Sequence, residues 1–156
     1  VEHVAFGLVL GPDGKKFKTR SGETEKLIDL LTGAIHKARV VLEERLTDAS
    51  VEEIEKLSRI VGIDAVKYAD LSTHRLKDYT FSYDKMLRFE GNTAIFLLYA
   101  YVRIRGIKRK TNANMDQILA SAKIDLQHPT EISLGLHLRR FGETLEAFTK
   151  DLLPHR

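Results

Sequence analysis

The first apolar segment is the feature that most constrains the fold. Residues 4–10 read Val-Ala-Phe-Gly-Leu-Val-Leu and end at a Gly-Pro-Asp-Gly turn over residues 11–14. A short run of β-forming residues that is apolar on both faces predicts a strand buried inside a sheet. No other segment has comparable strand character; residues 79–83 come nearest, and they alternate. A lone strand would leave its backbone donors and acceptors unpaired. We therefore expect the sheet partners of this strand to lie outside the sequence, in the rest of a longer protein or in another chain.

Helical periodicity dominates the rest of the chain. Apolar residues recur at three- and four-residue spacing, and Ser50 with Glu53 forms the sequence pattern of a capping box. Pro129 suits the first position of a final helix. We expect helices over residues 24–45, 50–71, 93–107 and 115–123, and one continuous helix from Pro129 whose buried face carries Leu134, Leu138, Phe141, Leu145 and Phe148.

The segments between these helices define the organisation of the chain. Residues 72–90 look irregular apart from a short strand near 80–83, and residues 108–114 look like a polar link. The composition changes near residues 89–92, which predicts a boundary there between the remnant of an α/β layer and a helix bundle. The fold class is therefore mainly α, with one strand followed by helices.

Composition excludes several kinds of site. The 156 residues contain no cysteine, which excludes disulfides, thiolate metal sites, iron–sulfur ligation and cysteine nucleophiles. The histidines lack the spacing of a metal motif, and His74 is expected to lie at the surface or to cap a turn. The apolar runs at residues 5–10 and 93–100 are far shorter than the roughly 20 residues that cross a bilayer. The first residue is Val1 and not methionine, so we expect an internal piece of a longer chain.

A cluster of cations follows the first strand. Four cations fall within six positions of a glycine-flanked loop, beside two hydroxyl side chains. Such a loop suits a phosphate chain, because it supplies charge-assisted donors where negative charge moves. A solvated basic turn is the alternative, and composition alone slightly favours it. The residues concerned are Lys15, Lys16, Lys18 and Arg20, with Thr19 and Ser21.

A second basic stretch lies at the end of the predicted helix over residues 93–107. Tyr99 and Arg103 are four residues apart and therefore lie on one helix face. Aromatic residues interleaved with arginines fit base stacking and backbone contacts on single-stranded RNA. The alternative, favoured by the pattern alone, is a core helix whose basic last turn complements the helix dipole.

Several segments in succession resemble arginyl-tRNA synthetases, and the eukaryotic cytoplasmic type most of all. The resemblance covers nearly the whole chain, and several motifs in one order are more specific than any single motif. The segments are residues 6–11, 14–22, 67–71, 78–87 and 91–94, followed by Arg103-Ile104-Arg105.

The resemblance implies a fold and an activity. Members of this family are class I enzymes with a Rossmann-type catalytic domain, a stem-contact region and a helical anticodon-binding domain. They join arginine to its tRNA with ATP, through an arginyl-adenylate. By this resemblance, residues 1–89 correspond to the end of the catalytic domain with the stem-contact region, and residues 90–156 to the start of the anticodon-binding domain. The single strand would then be the last of a truncated Rossmann-type domain.

The resemblance also implies roles for individual residues. The loop over residues 17–21 takes the place of the KMSKS motif, with Phe17 where that motif has its first lysine and Arg20 where it has its second. The implied role of the loop is to stabilise the pyrophosphate charge as the arginine carboxylate attacks the α-phosphate. The implied catalytic residues are Lys16, Lys18 and Arg20 jointly; the implied ATP-binding residues are Thr19, Ser21, His3 and Phe6, the last two beside the adenine; and the implied tRNA contacts are Tyr99 and Arg103.

The implied partners are L-arginine, ATP as substrate with Mg²⁺, and tRNA(Arg), in the cytoplasm and without a membrane. No protein ligand of Mg²⁺ is identified in the sequence, and no HIGH motif is present. The first Rossmann half and the later bundle helices would lie beyond the two ends, so we expect the chain alone to be inactive. A stand-alone helical RNA-binding module, whose basic loop holds RNA backbone, is the competing interpretation, and a helical domain without a ligand is a third.

Overall fold

A computed structural model describes residues 2–16, 26–112 and 114–155, which divide into two compact units. The first unit comprises Val1–Tyr99 with His155, and the second comprises Ala100–Pro154 with Arg156. The predicted mainly α class is confirmed. The elements are β1 (Val9–Leu10), α1 (Leu27–Arg45), α2 (Val51–Leu71), β2 (Tyr79–Thr80), α3 (Tyr83–Met86), α4 (Ala94–Thr111), α5 (Met115–Ser121), α6 (Pro129–Arg139) and α7 (Phe141–Asp151).

Helices α1 and α2 pack together and form the core of the first unit. Small residues make the packing close, since Ala34 and Ala38 of α1 are almost fully buried. A Cβ placed on Gly62 of α2 would lie 2.7 Å from the backbone of Ile35, so the two helices meet where neither has a bulky side chain. The buried residues of this core include Leu30, Leu42, Ile54, Val61, Ala65, Phe81 and Ile95.

The capping box of α2 is confirmed. The Ser50 hydroxyl accepts a hydrogen bond from the Glu53 N–H, and the Glu53 carboxylate accepts one from the Ser50 N–H. The helix then runs past Gly62 to Leu71, as the periodicity predicts. Helix α1 runs from Leu27 to Arg45 and ends where the prediction of residues 24–45 places its end; residues 24 and 25 lie outside the described residues.

The first strand differs from its prediction. It has only two residues, and it pairs in parallel with β2, with Val9 opposite Tyr79 and Leu10 opposite Thr80. The prediction that its partners lie outside the sequence is therefore wrong for this edge, and the predicted burial is also wrong, since Phe6 is 79% exposed. The backbone N–H groups of Gly7 and Leu8 donate single hydrogen bonds to residues 75–78 and do not pair with a further strand. Within the part of the chain that the structure describes, no sheet therefore covers the side chains before β1, and they stay exposed.

The segment that follows α2 also departs from its prediction in detail. The short strand lies at Tyr79–Thr80, one residue earlier than expected, and Tyr83 opens a short helix instead of ending the strand. The Ser82 hydroxyl caps that helix by accepting a hydrogen bond from the Lys85 N–H.

Helix α4 is longer than predicted. It continues to Thr111, so most of the predicted polar link is helical. Lysine and arginine are good helix formers and favour the negative end of the helix dipole, which explains the extension. Asn112 ends it with a positive φ of 47°, and Asn114 caps α5 by accepting from the N–H groups of Asp116 and Gln117.

The predicted single last helix is interrupted at Arg140, which separates α6 from α7. The prediction of its buried face is wrong as well, since none of the described residues of α5, α6 or α7 is buried. Amphipathic spacing indicates which residues share a face, but burial needs a partner element against that face. The five residues predicted to form that buried face, Leu134, Leu138, Phe141, Leu145 and Phe148, are all exposed.

No helix in the described residues has the length and apolar character that crossing a bilayer requires.

Candidate functional site

A tight turn carries the first of the predicted phosphate-binding cations. The Gly14 N–H donates to the Gly11 carbonyl at 2.9 Å, and the Gly11 N–H donates to the Lys15 carbonyl at 2.8 Å. Lys16 then forms an isolated antiparallel bridge with Leu10 of β1. Gly14 has a φ of +72°, a conformation that favours glycine and allows the chain to reverse. The turn therefore returns Lys16 to the level of β1, with its side chain exposed to solvent.

The Asp13 carboxylate stabilises the turn, because it accepts a hydrogen bond from the Lys15 N–H at 3.0 Å. The structure thus defines the backbone around Lys15 and Lys16, and we name residues 11–16 the cationic turn. The other four predicted loop residues, Lys18, Thr19, Arg20 and Ser21, lie outside the described residues.

Residues 75–78, which we name the anchor segment, hold the chain just before β1. The Asp78 carboxylate accepts from the Leu8 N–H at 2.7 Å, and the Gly7 N–H donates to the Arg75 carbonyl at 2.7 Å. The Arg75 guanidinium donates to the Ala5 carbonyl, also at 2.7 Å. The anchor segment therefore contacts three positions, Ala5, Gly7 and Leu8, in the stretch of chain that leads through β1 to the cationic turn.

Gly7 is required for this contact. A Cβ at this position would lie 2.2 Å from the Lys77 carbonyl oxygen, which no side chain can tolerate without backbone movement. Two ladder hydrogen bonds then continue the pairing, from the Tyr79 N–H to the Leu8 carbonyl and from the Phe81 N–H to the Leu10 carbonyl.

Sequence reasoning missed Arg75 and Asp78 as contacts of the first strand. Their partners are 70 residues away in the chain, and no local pattern reports a pairing of that range. The available signal was indirect: a strand that needed partners and a polar segment beside the second strand-like stretch. His74 of the same region accepts a hydrogen bond from the Leu76 N–H, which confirms the predicted capping role.

His3 and Phe6, the residues implied at the adenine, lie on the exposed chain before β1. Phe6 presents an aromatic ring to solvent, with 79% of the residue exposed. Phe6 lies two residues before Leu8, in the stretch of chain that the anchor segment holds and that leads to the cationic turn.

The start of α4 positions the predicted RNA-contacting residues. The Thr93 hydroxyl accepts from the Phe96 N–H and donates to the Arg88 carbonyl, which holds the first turn of the helix. Asn92 accepts a hydrogen bond from the Tyr68 hydroxyl of α2. Gly91 allows the sharp entry with a φ of +77°.

Tyr99 lies on α4 one turn before Arg103, as the spacing predicts, and both are exposed. The Phe89 ring packs edge-on against the Tyr99 ring at a centroid distance of 6.4 Å. The Arg45 guanidinium covers the Phe89 ring at 4.0 Å. The basic residues of the helix beyond Arg103 are also exposed; they are Arg105, Lys108, Arg109 and Lys110.

A cavity of about 210 Å³ lies in the first unit between α2, β2 and α3. Tyr79 lines this cavity, and its pKa is raised to about 12, mainly by burial and to a smaller extent by the Asp70 carboxylate. Most of its polar side chains already have partners within the protein: Tyr68 with Asn92, and Thr73 with the Ala69 carbonyl. Within the described residues, no group of three or more His, Asp or Glu side chains is placed to hold a metal ion.

Two family models match successive parts of the chain. Residues 1–83 match the catalytic domain of class I tRNA synthetases of the arginine type, and residues 97–156 match the DALR anticodon-binding domain. The first match alone covers more than half of the chain. The cationic turn and the anchor segment both lie in the first match, and Tyr99 with Arg103 lie in the second.

Individual relatives give the same result. The chain is 61% identical over all its residues to an arginine–tRNA ligase of Protochlamydia amoebophila, and 54% identical to one of Trichodesmium erythraeum, and it spans 27% of each. Among solved structures, it is similar to the arginyl-tRNA synthetase of Plasmodium falciparum, with a TM-score of 0.73 and 35% identity over 98% of this chain and 25% of that one. It is also similar to the Thermus thermophilus enzyme, with a TM-score of 0.74 and 27% identity.

These relatives do not confirm the expected eukaryotic cytoplasmic type. The curated relatives at 61% and 54% identity are bacterial, whereas the Plasmodium structure is 35% identical. The chain spans about a quarter of the length of the relatives it matches.

Proposed function

The chain belongs to the class I arginyl-tRNA synthetase family, and from this premise we propose that it contributes to an enzyme that joins L-arginine to tRNA(Arg) at the expense of ATP. The observation that carries the proposal is the succession of two family matches along one chain, catalytic and then anticodon-binding. A stand-alone RNA-binding module would not need the catalytic match, so the comparisons support the synthetase over that alternative.

We propose a domain boundary near residue 90, with residues 1–89 catalytic and stem-contacting and residues 90–156 anticodon-binding. Support comes from the two family matches, which leave residues 84–96 between them. The sharp entry into α4 at Gly91 falls in that interval. The missing first catalytic half and the later bundle helices are the remaining parts of the proposed enzyme.

The cationic turn supplies the chemistry in this proposal. The arginine carboxylate attacks the α-phosphate of ATP, the bond from that phosphorus to the bridging oxygen breaks, and pyrophosphate leaves with the added charge. Lys16, with Lys18 and Arg20, offsets this charge, which is an electrostatic task without proton transfer. Thr19 and Ser21 add hydroxyl donors, and His3 and Phe6 flank the adenine. Mg²⁺ accompanies ATP on its phosphates, as is usual for nucleotide-bound magnesium.

The second half of the reaction needs tRNA. We propose that Tyr99 stacks on a base and Arg103 contacts the adjacent backbone, since both lie exposed on successive turns of α4. We further propose that the enzyme acts in the cytoplasm, where its tRNA substrate is used.

A chimera tests this function. The matching 27% of the Protochlamydia amoebophila ligase is replaced by this chain, and attachment of radioactive arginine to tRNA(Arg) is measured against the unaltered enzyme. We expect the chimera to charge tRNA(Arg) at a rate comparable to that of the parent. A chimera that folds and binds tRNA but forms no arginyl-tRNA would contradict the proposal.

The isolated chain supplies the complementary test. We expect no arginine-dependent exchange of pyrophosphate into ATP, because half of the proposed catalytic domain is absent from it. Turnover by the isolated chain would show that this expectation is wrong. Salt-dependent RNA binding that needs Lys16, together with an inactive chimera, would favour the stand-alone RNA-binding module.

A further inference from the structure

The anchor segment joins the first strand through side chains as well as backbone. The Asp78 carboxylate receives the Leu8 N–H at 2.7 Å, and the Arg75 guanidinium reaches the Ala5 carbonyl at 2.7 Å. A hydrogen bond to an ionised carboxylate is shorter and stronger than one between neutral groups. These two side chains therefore act together with the backbone hydrogen bonds of Gly7 and Leu8 in fixing where residues 5–8 lie relative to β2.

The position of Leu8 is transmitted to Lys16 over a short distance. Leu8 lies one residue before β1, and Leu10 at the end of β1 bridges directly to Lys16. Two residues of strand span about 7 Å, so the Asp78 contact and the Lys16 backbone are that far apart along β1. The backbone between them is hydrogen-bonded at Leu8, Leu10 and Gly11, which leaves few ways to absorb a shift.

Loss of the hydrogen bond between the Asp78 carboxylate and the Leu8 N–H should change the position of the cationic turn more than the stability of the fold. The Asp78 and Leu8 groups are both exposed, so water replaces the lost bond at a modest cost to the folded state. Electrostatic stabilisation of a leaving group depends on placing charge to within an ångström, and a small displacement far from the reacting atoms can slow the reaction severely.

We propose that Asp78, assisted by Arg75, is a positioning residue for phosphate chemistry: it holds the Leu8 N–H and so sets where the cationic turn presents Lys16 to the departing pyrophosphate. The inference rests on the proposed function, since it assigns Asp78 no role apart from Lys16. Asp78 acts through the backbone of β1 and does not touch the substrate.

A double-mutant cycle in the chimeric ligase tests the proposal. The variants are Asp78→Ala, Lys16→Ala and their combination, and the measurements are kcat, KM for ATP and the melting temperature. We expect Asp78→Ala to lower kcat about tenfold with little change in KM for ATP, as a misplaced charge would. We expect Asp78→Ala to add no further loss once Lys16 is alanine, because both changes remove the same interaction.

Two further variants separate positioning from structure. Asp78→Asn keeps an oxygen acceptor for the Leu8 N–H, so we expect it to recover most of the lost kcat. Asp48→Ala removes an exposed carboxylate from the turn between α1 and α2, and we expect no change in kcat. Arg75→Met breaks the second side-chain contact and provides the same cycle if Asp78→Ala does not fold.

The outcomes distinguish the two proposals. If Lys16→Ala keeps the parent rate, the role of Lys16 fails and this inference fails with it. If Lys16→Ala is slow but the Asp78→Ala effect multiplies with it, or appears only in the melting temperature, the inference is wrong and the proposed function stands.

Discussion

The two compact units differ in what holds their helices. In the first unit, α1 and α2 share a core in which Ala34, Ala38 and Ile54 are at most 4% exposed. In the second unit, α5, α6 and α7 have no buried residue among those the structure describes. Both units nevertheless contain well-capped helices, with Ser50 capping α2 and Asn114 capping α5.

The comparison shows that helix formation and burial have different sources. Caps, dipole-matched charges and helix propensity act within a few residues, so they operate in either unit. Burial requires another element that covers the apolar face, and among the described residues the buried apolar core belongs to the first unit. The same kind of substitution should therefore change the free energy of unfolding by different amounts in the two units.

The largest difference is expected for core truncation. Ile54→Ala removes a side chain that is 4% exposed and should lower the free energy of unfolding of this chain by about 2–5 kcal/mol. Leu138→Ala, at a residue that is 62% exposed on α6, should change it by no more than about 0.5 kcal/mol. Urea denaturation followed by circular dichroism measures both. An equal loss from the two variants would show that the units do not differ in packing.

A smaller difference is expected at glycines in the two units. Gly62→Ala places a Cβ 2.7 Å from the backbone of α1 at Ile35. Because the neighbouring atoms belong to the backbone, no side-chain rotation can relieve this contact. We expect overpacking to cost about 1–3 kcal/mol and to outweigh the gain in helix propensity. Gly106→Ala on α4 is the matched control, since its Cβ meets no atom within 4 Å. It should stabilise the helix by about 0.5–1 kcal/mol, and a stabilising Gly62→Ala would contradict the close α1–α2 approach.

The elements that could be predicted from sequence are those with local causes. The Ser50–Glu53 capping box identified the start of α2, because both partners lie within four residues. The interruption at Arg140 was missed, and so was the exposure of Leu138. A continuous apolar spacing runs through both positions and does not record whether another element covers that face.

The same division applies to the candidate site. The cationic loop was predicted from clustered charges and glycines, and the turn around Gly14 is where the sequence places it. Its attachment was not predictable, since the Leu8–Asp78 and Ala5–Arg75 contacts join residues 70 positions apart. Pairing at that range is determined by the packing of α1 and α2, which bring the two ends of the intervening chain together.

The smallest expected effect concerns the pH dependence of the first unit. Burial and the neighbouring Asp70 raise the pKa of Tyr79 to about 12, from an ordinary value near 10. A raised pKa means that folding favours the protonated phenol, so the stabilising contribution of Tyr79 is complete below pH 10 and is lost as the pH rises towards 12. As the pH rises through this interval, the free energy of unfolding of the unaltered chain should therefore fall relative to that of Tyr79→Phe, which has no phenol to ionise. Urea denaturation of the unaltered chain and of Tyr79→Phe between pH 8 and 12 measures this difference. A constant Tyr79→Phe difference would mean that the phenol titrates alike in the folded and unfolded chains, and so that β2 is less well packed than the α1–α2 core beside it.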